Sequence, residues 1–371
     1  MRLRMGPTNP ANSVRSVKTR STILTGRLAL GILGMARRRK ETEAWMLYSY
    51  SDRCDAKISA LGVGTWSMGG TNAYGLSYGD VADDTSIAAI HALVDGGVNL
   101  VDTVPVYGGD FASEKVVGAA LAQGDYRDRV FLVTKFGNRN DPATGKRVIN
   151  NSYDNVIAEC DASLERLRTD HIDLYIMHYP DENVPMAETA RALNELLDSG
   201  KISHVGLSNV NRGQIEEAAA LTRVDAVQLP FSMVNRERQA DLEWCHEQGI
   251  MTMAYGSMGA GILSGAFREL PHFDEKDIRY TFYPYFKDPM FSQIQLLLKD
   301  MDVVAERHGR PLSHVALVWA AQKEFVTTSL VGVANVEQAE ENCQAFSLEL
   351  SAEEMAFLDD SIDRNLGPVS R

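Results

Sequence analysis

The chain has 371 residues, 44% of them hydrophobic, and a formal net charge of −13. That is enough apolar material for one large core, and the acidic balance excludes nucleic acid and anionic membrane surfaces as natural partners. No apolar run approaches the roughly 18 residues of a spanning helix, and four scattered cysteines with neither metal-ligand spacing nor a disulfide framework point to a reducing cytoplasm.

The first 40 residues stand apart. They hold ten Lys or Arg and no acid. An apolar stretch, residues 28–36, is followed at once by Arg37-Arg38-Arg39-Lys40. A signal peptide carries its charge before the apolar region, so this order fits one badly. We expect residues 1–45 to be a basic extension, disordered or outside the native chain, with Met46 as the real start. A basic presequence and a short peripheral membrane anchor stay open. Residues 46–371 are expected to form one domain.

In chain order, residues 56–64 read as strands at the floor of a barrel, with 61–65 as the first barrel strand. A helix follows Asp80, with Asp83 and Asp84 near its start and Gly96-Gly97 at its end. Apolar, strand-like runs follow at 98–103, 130–136 and 172–178, then near 203–208, 226–229, 251–255 and 327–332. Amphipathic helices are expected at 152–169, 186–199 and 212–221. The tail 351–363 opens on a capping box, Ser351 to Glu354, and reads as a closing helix. Strand alternating with helix means parallel strands with crossover helices. Eight strands suit a (β/α)8 TIM barrel with its site at the C-terminal rim. Periodicity alone leaves a doubly wound open sheet as the alternative. The connection from Gly256 to about Phe291 is too long for a plain link. Its aromatics, Phe273, Tyr280, Phe282, Tyr283, Tyr285 and Phe286, read as a flap over the site or as a packed excursion with its own small core. Trp66, Tyr74 and Tyr107 would line the opposite side.

Asp102, Tyr107, Lys135 and His178 sit at or just beyond the ends of three of these runs. Singly, each has an ordinary role: a turn cap, a packed loop aromatic, a strand-end charge, a core histidine. Together on one rim they suit proton donation to a carbonyl oxygen. A carbonyl that accepts a hydride becomes an alkoxide and needs a proton. Tyrosine, with a pKa of about 10, is a poor donor at neutral pH. A lysine ammonium about 4 Å away contributes roughly 4 kcal/mol at an effective dielectric of about 20. Desolvation of the phenol opposes that, so the expected net lowering is smaller. Asp102 would hold the lysine charged, His178 would orient the carbonyl, and Tyr107 would be the general acid, or the base in the oxidative direction.

The motifs run L-G-V-G-T-W at 61–66, D-T-V-P-V-Y-G at 102–108, S-E-K-V-V-G at 113–118 and T-K-F-G at 134–137. They continue with S-L-E-R-L-R-T-D-H-I-D-L-Y at 163–175, H-Y-P-D at 178–181, G-K-I-S-H-V-G-L-S-N at 200–209 and V-Q at 227–228. The last are A-Y-G-S-M-G-A-G-I-L-S-G at 254–265 and G-V-A-N-V-E-Q-A-E-E-N at 332–342. From about residue 58 to 363 the chain resembles the aldo-keto reductase superfamily. It looks most like bacterial reductases of the inositol-operon type, and it is similar to the potassium-channel β-subunits that share their fold.

The resemblance implies a (β/α)8 barrel and a catalytic tetrad of Asp102, Tyr107, Lys135 and His178. It implies a nicotinamide cofactor across the mouth, near Gly64, Thr65 and Trp66. Ser208, Asn209 and Gln228 would hold its carboxamide, and Tyr255 would stack under the ring. Backbone at Gly256, Ser257, Met258, Gly259 and Gly261 would cradle the pyrophosphate. Gly332, Gln338, Glu341 and Asn342 would meet the adenosine. The residue types fit independently, since amides pair with a carboxamide and glycines let N–H groups approach phosphate. No G-x-G-x-x-G fingerprint follows the first strand, so a Rossmann site is not indicated.

The sequence departs from the family at two basic positions. Val333-Ala334-Asn335 carries no charge for the 2′-phosphate of NADP, and Ala266 replaces a common lysine. Arg279 is the remaining phosphate partner, or else a solvated loop charge. NADPH is the expected cofactor, with NADH as the alternative. The leading function is reversible reduction of a small aldehyde or ketone to its alcohol. The alternatives are a nicotinamide-binding regulatory subunit and an NAD-dependent sugar or polyol dehydrogenase. No metal is expected, and the oligomeric state is not readable.

Overall fold

A computed structural model describes residues 46–70, 81–140, 144, 146–274 and 277–367. The basic extension and Tyr74 lie outside the described residues. The strands are β1 (Tyr48–Ser51), β2 (Ala56–Ser59), β3 (Leu61–Gly64), β4 (Leu100–Asp102), β5 (Phe131–Phe136), β6 (Asn138–Asn140), β7 (Arg147–Ile149), β8 (Ile172–Met177), β9 (Ile202–Ser208), β10 (Ala226–Pro230), β11 (Met251–Tyr255) and β12 (Thr328–Val331). Eight of them close a barrel in the order β3-β4-β5-β8-β9-β10-β11-β12, with β12 paired back to β3. Each neighbouring pair is parallel. The barrel is therefore the (β/α)8 form, and the open sheet is excluded. The eight strands fall where the apolar runs predict, with ends shifted by at most two residues.

Two apolar layers account for this closure. Inside the barrel, Leu100, Val133, Leu174, Ile176, Ala226, Met251, Met253 and Leu330 pack together with Cys54 and Ile58 from the floor. Outside it, alternate strand residues such as Val101, Leu132, Tyr175, Met177 and Val227 pack against the helices. Strand side chains alternate between the two faces with period two, so both faces must be apolar in a doubly covered sheet. That is why these runs are continuous rather than alternating.

The helices carry the predicted signals. Tyr153–Leu167 follows Ser152, and Met186–Asp198 and Arg212–Ala219 lie where amphipathic spacing puts them. The capping box at Ser351 and Glu354 forms at the head of Ala352–Leu366. The antiparallel hairpin β1–β2 caps the N-terminal end, and its turn uses the S-D-R-C stretch, which had no account from sequence. Arg53 there donates to the carbonyls of Val224 at 2.9 Å and Gln248 at 2.8 Å, tying the plug to two loops of the floor. A second hairpin, β6–β7, leaves the rim directly after β5 and was not legible in the sequence. Among the described residues, no helix is long and apolar enough to cross a membrane.

Candidate active site

The period of two that builds the inner core also builds the site. Leu100 faces the interior, so Asp102 does too, one layer nearer the rim. The same step leads from Val133 to Lys135, from Ile176 to His178, from Ala226 to Gln228, from Met253 to Tyr255 and from Leu330 to Gly332. Gly62 and Gly206 also face inward, since a Cβ on either would lie 2.7–2.9 Å from Leu330, Leu100 or Ile176. Gly64 and Ser208 follow them. The polar residues ring the rim because they are the next inward-facing positions after the apolar layer ends.

Lys135 is fully buried, and its Nζ donates to both Asp102 carboxylate oxygens at 2.7 Å and to the Thr103 carbonyl at 3.1 Å. Gln228 donates its Nε2 to Asp102 Oδ1 at 3.0 Å. An unpaired ammonium at this depth would cost several kcal/mol, on the order of what desolvation takes from any buried ion. Burial pulls the lysine's pKa below its ordinary value, and the Asp102 carboxylate opposes that.

Lys135 Nζ lies 5.8 Å from the centroid of the Tyr107 ring. That ring stacks on Trp66 at 5.6 Å and meets His178 edge-on at 6.4 Å. Burial, and then the Asp102 charge, push the phenol's pKa well above the ordinary tyrosine value. This corrects the expected net lowering. Asp102 sits on the lysine and cancels much of its field, while the closed aromatic surroundings disfavour a phenolate. His178 places Nδ1 3.2 Å from the Asn138 amide nitrogen. Burial, then Lys135 and Arg147, hold its pKa well below the usual histidine value.

These groups border one cavity of about 1080 Å³. Of the candidate residues, all except Lys135 and Gly259 line it. Lys135 lies beneath the floor of the cavity, behind Asp102. Gly259 is a packing position, since a Cβ there would lie 2.7 Å from Val234 Cγ2. Asn209 has positive φ, donates to the His178 carbonyl at 2.9 Å and accepts from Tyr255 Oη at 2.8 Å. The Gln338 side-chain Oε1 accepts from the Ala334 backbone amide at 2.8 Å, and Ser313 Oγ donates to Glu341 at 2.8 Å. Arg279 is not a loose surface charge: its Nη2 meets Asp277 at 2.6 Å and its guanidinium lies 4.7 Å over the Phe273 ring.

The long connection combines both expectations. Phe267, Phe273 and Phe286 pack edge-on with centroids 5.0–5.6 Å apart, a small core of their own. Phe282 reaches Trp66 edge-on at 5.9 Å, and with Tyr283 and Tyr285 it borders the cavity. Asn138 and Arg147 also line the cavity and were missed by sequence reasoning. The one available signal was position, because Asn138 stands three residues past Lys135 at the same rim.

A parallel eight-stranded barrel with a buried Lys–Asp pair, a tyrosine and a histidine at its C-terminal mouth defines a class of oxidoreductase. Residues 60–363 match the Aldo/keto reductase family, and the chain belongs to it. It is similar to aldo-keto reductase YhdN of Bacillus subtilis, 32% identical over 86% of this chain and 96% of that one. It is also similar to aldo-keto reductase yakc of Schizosaccharomyces pombe, whose name carries NADP(+), 31% identical over 74% of this chain and 81% of the relative. Among solved structures, glycerol dehydrogenase AKR11B4 from Gluconobacter oxydans superposes with a TM-score of 0.77 at 28% identity, covering 88% of this chain and 97% of the other. The chain is an enzyme of carbonyl–alcohol oxidoreduction that uses a nicotinamide cofactor.

Proposed function

We propose that this enzyme reduces a small aldehyde or ketone with NADPH, reversibly, and that Tyr107 supplies the proton. The observation that carries the reading is the Asp102–Lys135 pair buried directly behind a cavity-lining tyrosine and histidine. The cofactor supplies the hydride. Tyr107 donates its phenolic proton to the substrate oxygen. Lys135, kept charged by Asp102, stabilises the phenolate left behind, and His178 orients the carbonyl.

The chain's own groups fit a dinucleotide. Gly256 and Gly261 hold φ of 73° and 91°, and a Cβ on Gly256 would project into open space. The amides of Ser257 and Met258 give no hydrogen bond to a carbonyl among the described residues. Positive-φ backbone with N–H groups that no carbonyl takes up is a cradle for phosphate oxygens. Ser208, Asn209 and Gln228 would take the carboxamide, Tyr255 the ring face, and Gln338, Glu341 and Asn342 the adenine end. Arg279 would meet a 2′-phosphate. Its pairing with Asp277 takes up part of its charge, so the preference for NADPH over NADH should be modest. The likeness to a glycerol dehydrogenase favours one second reading, oxidation of a polyol with NAD. Free thiols at Cys54, Cys160, Cys245 and Cys343 suit a cytoplasmic location.

The test is oxidation of NADPH and NADH over an aldehyde and ketone panel, and reduction of NADP(+) and NAD(+) over a polyol panel, with Tyr107→Phe and Arg279→Ala alongside. Loss of a general acid lowers kcat by about 10²–10⁴-fold. Wild-type turnover that survives in Tyr107→Phe would sink the proton-donor assignment. Faster wild-type turnover of a polyol with NAD(+) than of any carbonyl with NADPH would select the second reading.

A further inference from the structure

We propose that Asn138 and Arg147, on the β6–β7 hairpin, hold His178 as the neutral tautomer with its hydrogen on Nε2, the nitrogen left for the substrate oxygen. The inference rests on the reading above, in which His178 meets the carbonyl.

The chain of donors fixes the assignment. A guanidinium has N–H donors and no acceptor. Arg147 Nε donates at 2.9 Å to one terminal atom of the Asn138 amide, which must therefore be the oxygen. The other terminal atom, 3.2 Å from His178 Nδ1, must be the NH2 group. An NH2 group only donates, so Nδ1 must present its lone pair. In a neutral imidazole the hydrogen then sits on Nε2. Arg147 is anchored for this task, with its guanidinium 3.9 Å over the Tyr179 ring. Tyr179 in turn packs on the His178 ring at 4.7 Å. Asn138 is buried, and its register opposite Ile149 places it at the root of the hairpin.

The tautomer decides what His178 can do. An Nε2–H group donates to a carbonyl oxygen and binds it more strongly as negative charge grows there. The opposite tautomer would set a lone pair against the oxygen's own. Double protonation is opposed as well, because a hydrogen on Nδ1 would meet the Asn138 donor. Among the described residues, the charged and titratable groups facing the imidazole are Lys135, Arg147, Tyr107 and Tyr179, none of them a carboxylate. Asn138 and Arg147 are therefore positioning residues acting through His178.

The test is two-bond 15N–1H correlation NMR on the full chain with 15N-labelled histidine and saturating NADP(+). The His178 signal is identified by its loss in His178→Gln. The wild type and Arg147→Lys, which retains a donor, should show the Nε2–H tautomer alone. Asn138→Asp should move the hydrogen to Nδ1, because a carboxylate accepts from that atom. Its kcat should fall by about 10²-fold, the lower end of the range for a lost acid–base contact, with KM changed far less. Arg147→Leu, a change at an exposed residue, frees the amide to rotate and should give mixed tautomers. This variant keeps the test decisive if Asn138→Asp fails to fold. An Nδ1–H signal in the wild type, or an unchanged Nε2–H signal in both Asn138→Asp and Arg147→Leu, overturns the proposal. Expected spectra with undiminished kcat in both His178→Gln and Asn138→Asp would uphold the tautomer and reject His178 as the carbonyl's partner.

Discussion

Tyr107 and His178 are the two side chains that meet the substrate oxygen in this reading, and burial moves their titrations in opposite directions. The phenol's pKa lies above its ordinary value and the imidazole's below it. Raised acidity of the tyrosine is not needed for donation, because an alkoxide is a far stronger base than a phenolate. The Asp102 charge adds to the cost of the phenolate that remains, and the alkoxide's basicity covers it. The sign of the pH dependence follows. In reduction Tyr107 must be protonated, and it stays so beyond the range where a free phenol would ionise. His178 is already neutral at mildly acidic pH. We expect kcat/KM for carbonyl reduction to be flat between about pH 7 and pH 9, since the ordinary His and Tyr values of about 6.5 and 10 bracket that window and burial moves both titrations further outside it. Alcohol oxidation, which needs the tyrosine's proton removed, should rise with pH across the same window. A reduction profile that inflects near the ordinary histidine value would show that His178 titrates and would overturn this account. Asp102, Lys135 and His178 stood out because they lie at the ends of apolar runs, and Tyr107 because it follows the first of them closely. Asn138 and Arg147 did not, because three-residue strands of mixed polarity carry no period to read.

At the scale of elements, the spacing between layers is set by small residues at crossings. Gly118 lies in the helix Ala112–Leu121, where a Cβ would stand 2.3 Å from the Arg166 carbonyl and 2.9 Å from Leu167 Cα, at the end of the next helix. Alanine is the better helix former by about 1 kcal/mol, so propensity alone predicts that Gly118→Ala stabilises. The contact is with backbone, which cannot rotate away, and overpacking of this kind costs about 1–3 kcal/mol. We expect a net loss, read as a lower urea midpoint with an unchanged slope. A raised midpoint would mean that the two helices separate freely here. Sequence pattern recovered several helices with one apolar face, such as Ala352–Leu366, but passed over Met290–His308 and Val336–Gln344. It offers nothing for Leu312–Ala321, where residues 313–320 are all buried. A helix covered on all sides has no polar stripe, and so no 3.6-residue period to find.

Across the whole molecule, stability and chemistry are assigned to opposite ends of the barrel. The rim gathers the polar inward positions, whereas the floor is closed by the β1–β2 hairpin, with Ile58 and Cys54 set into the inner core. Asn99 stitches this plug to the barrel wall, accepting from the Ser59 amide at 2.8 Å and donating to the Lys57 carbonyl at 2.6 Å. Conserving the rim does not require the plug to touch it, because the intervening layer of Leu100, Val133, Leu174 and Leu330 fills the space between. Ile58 has no exposed surface. Removing its branched side chain leaves a void that the closed barrel cannot collapse to fill, at a cost of about 2–5 kcal/mol. Ile58→Ala should therefore lower the unfolding midpoint strongly while kcat and KM, measured where the variant is still folded, stay near wild type. A matched loss of kcat at full occupancy of the folded state would mean that the floor sets the geometry of the Asp102–Lys135 pair through the interior layer, and the division between the two ends would fail.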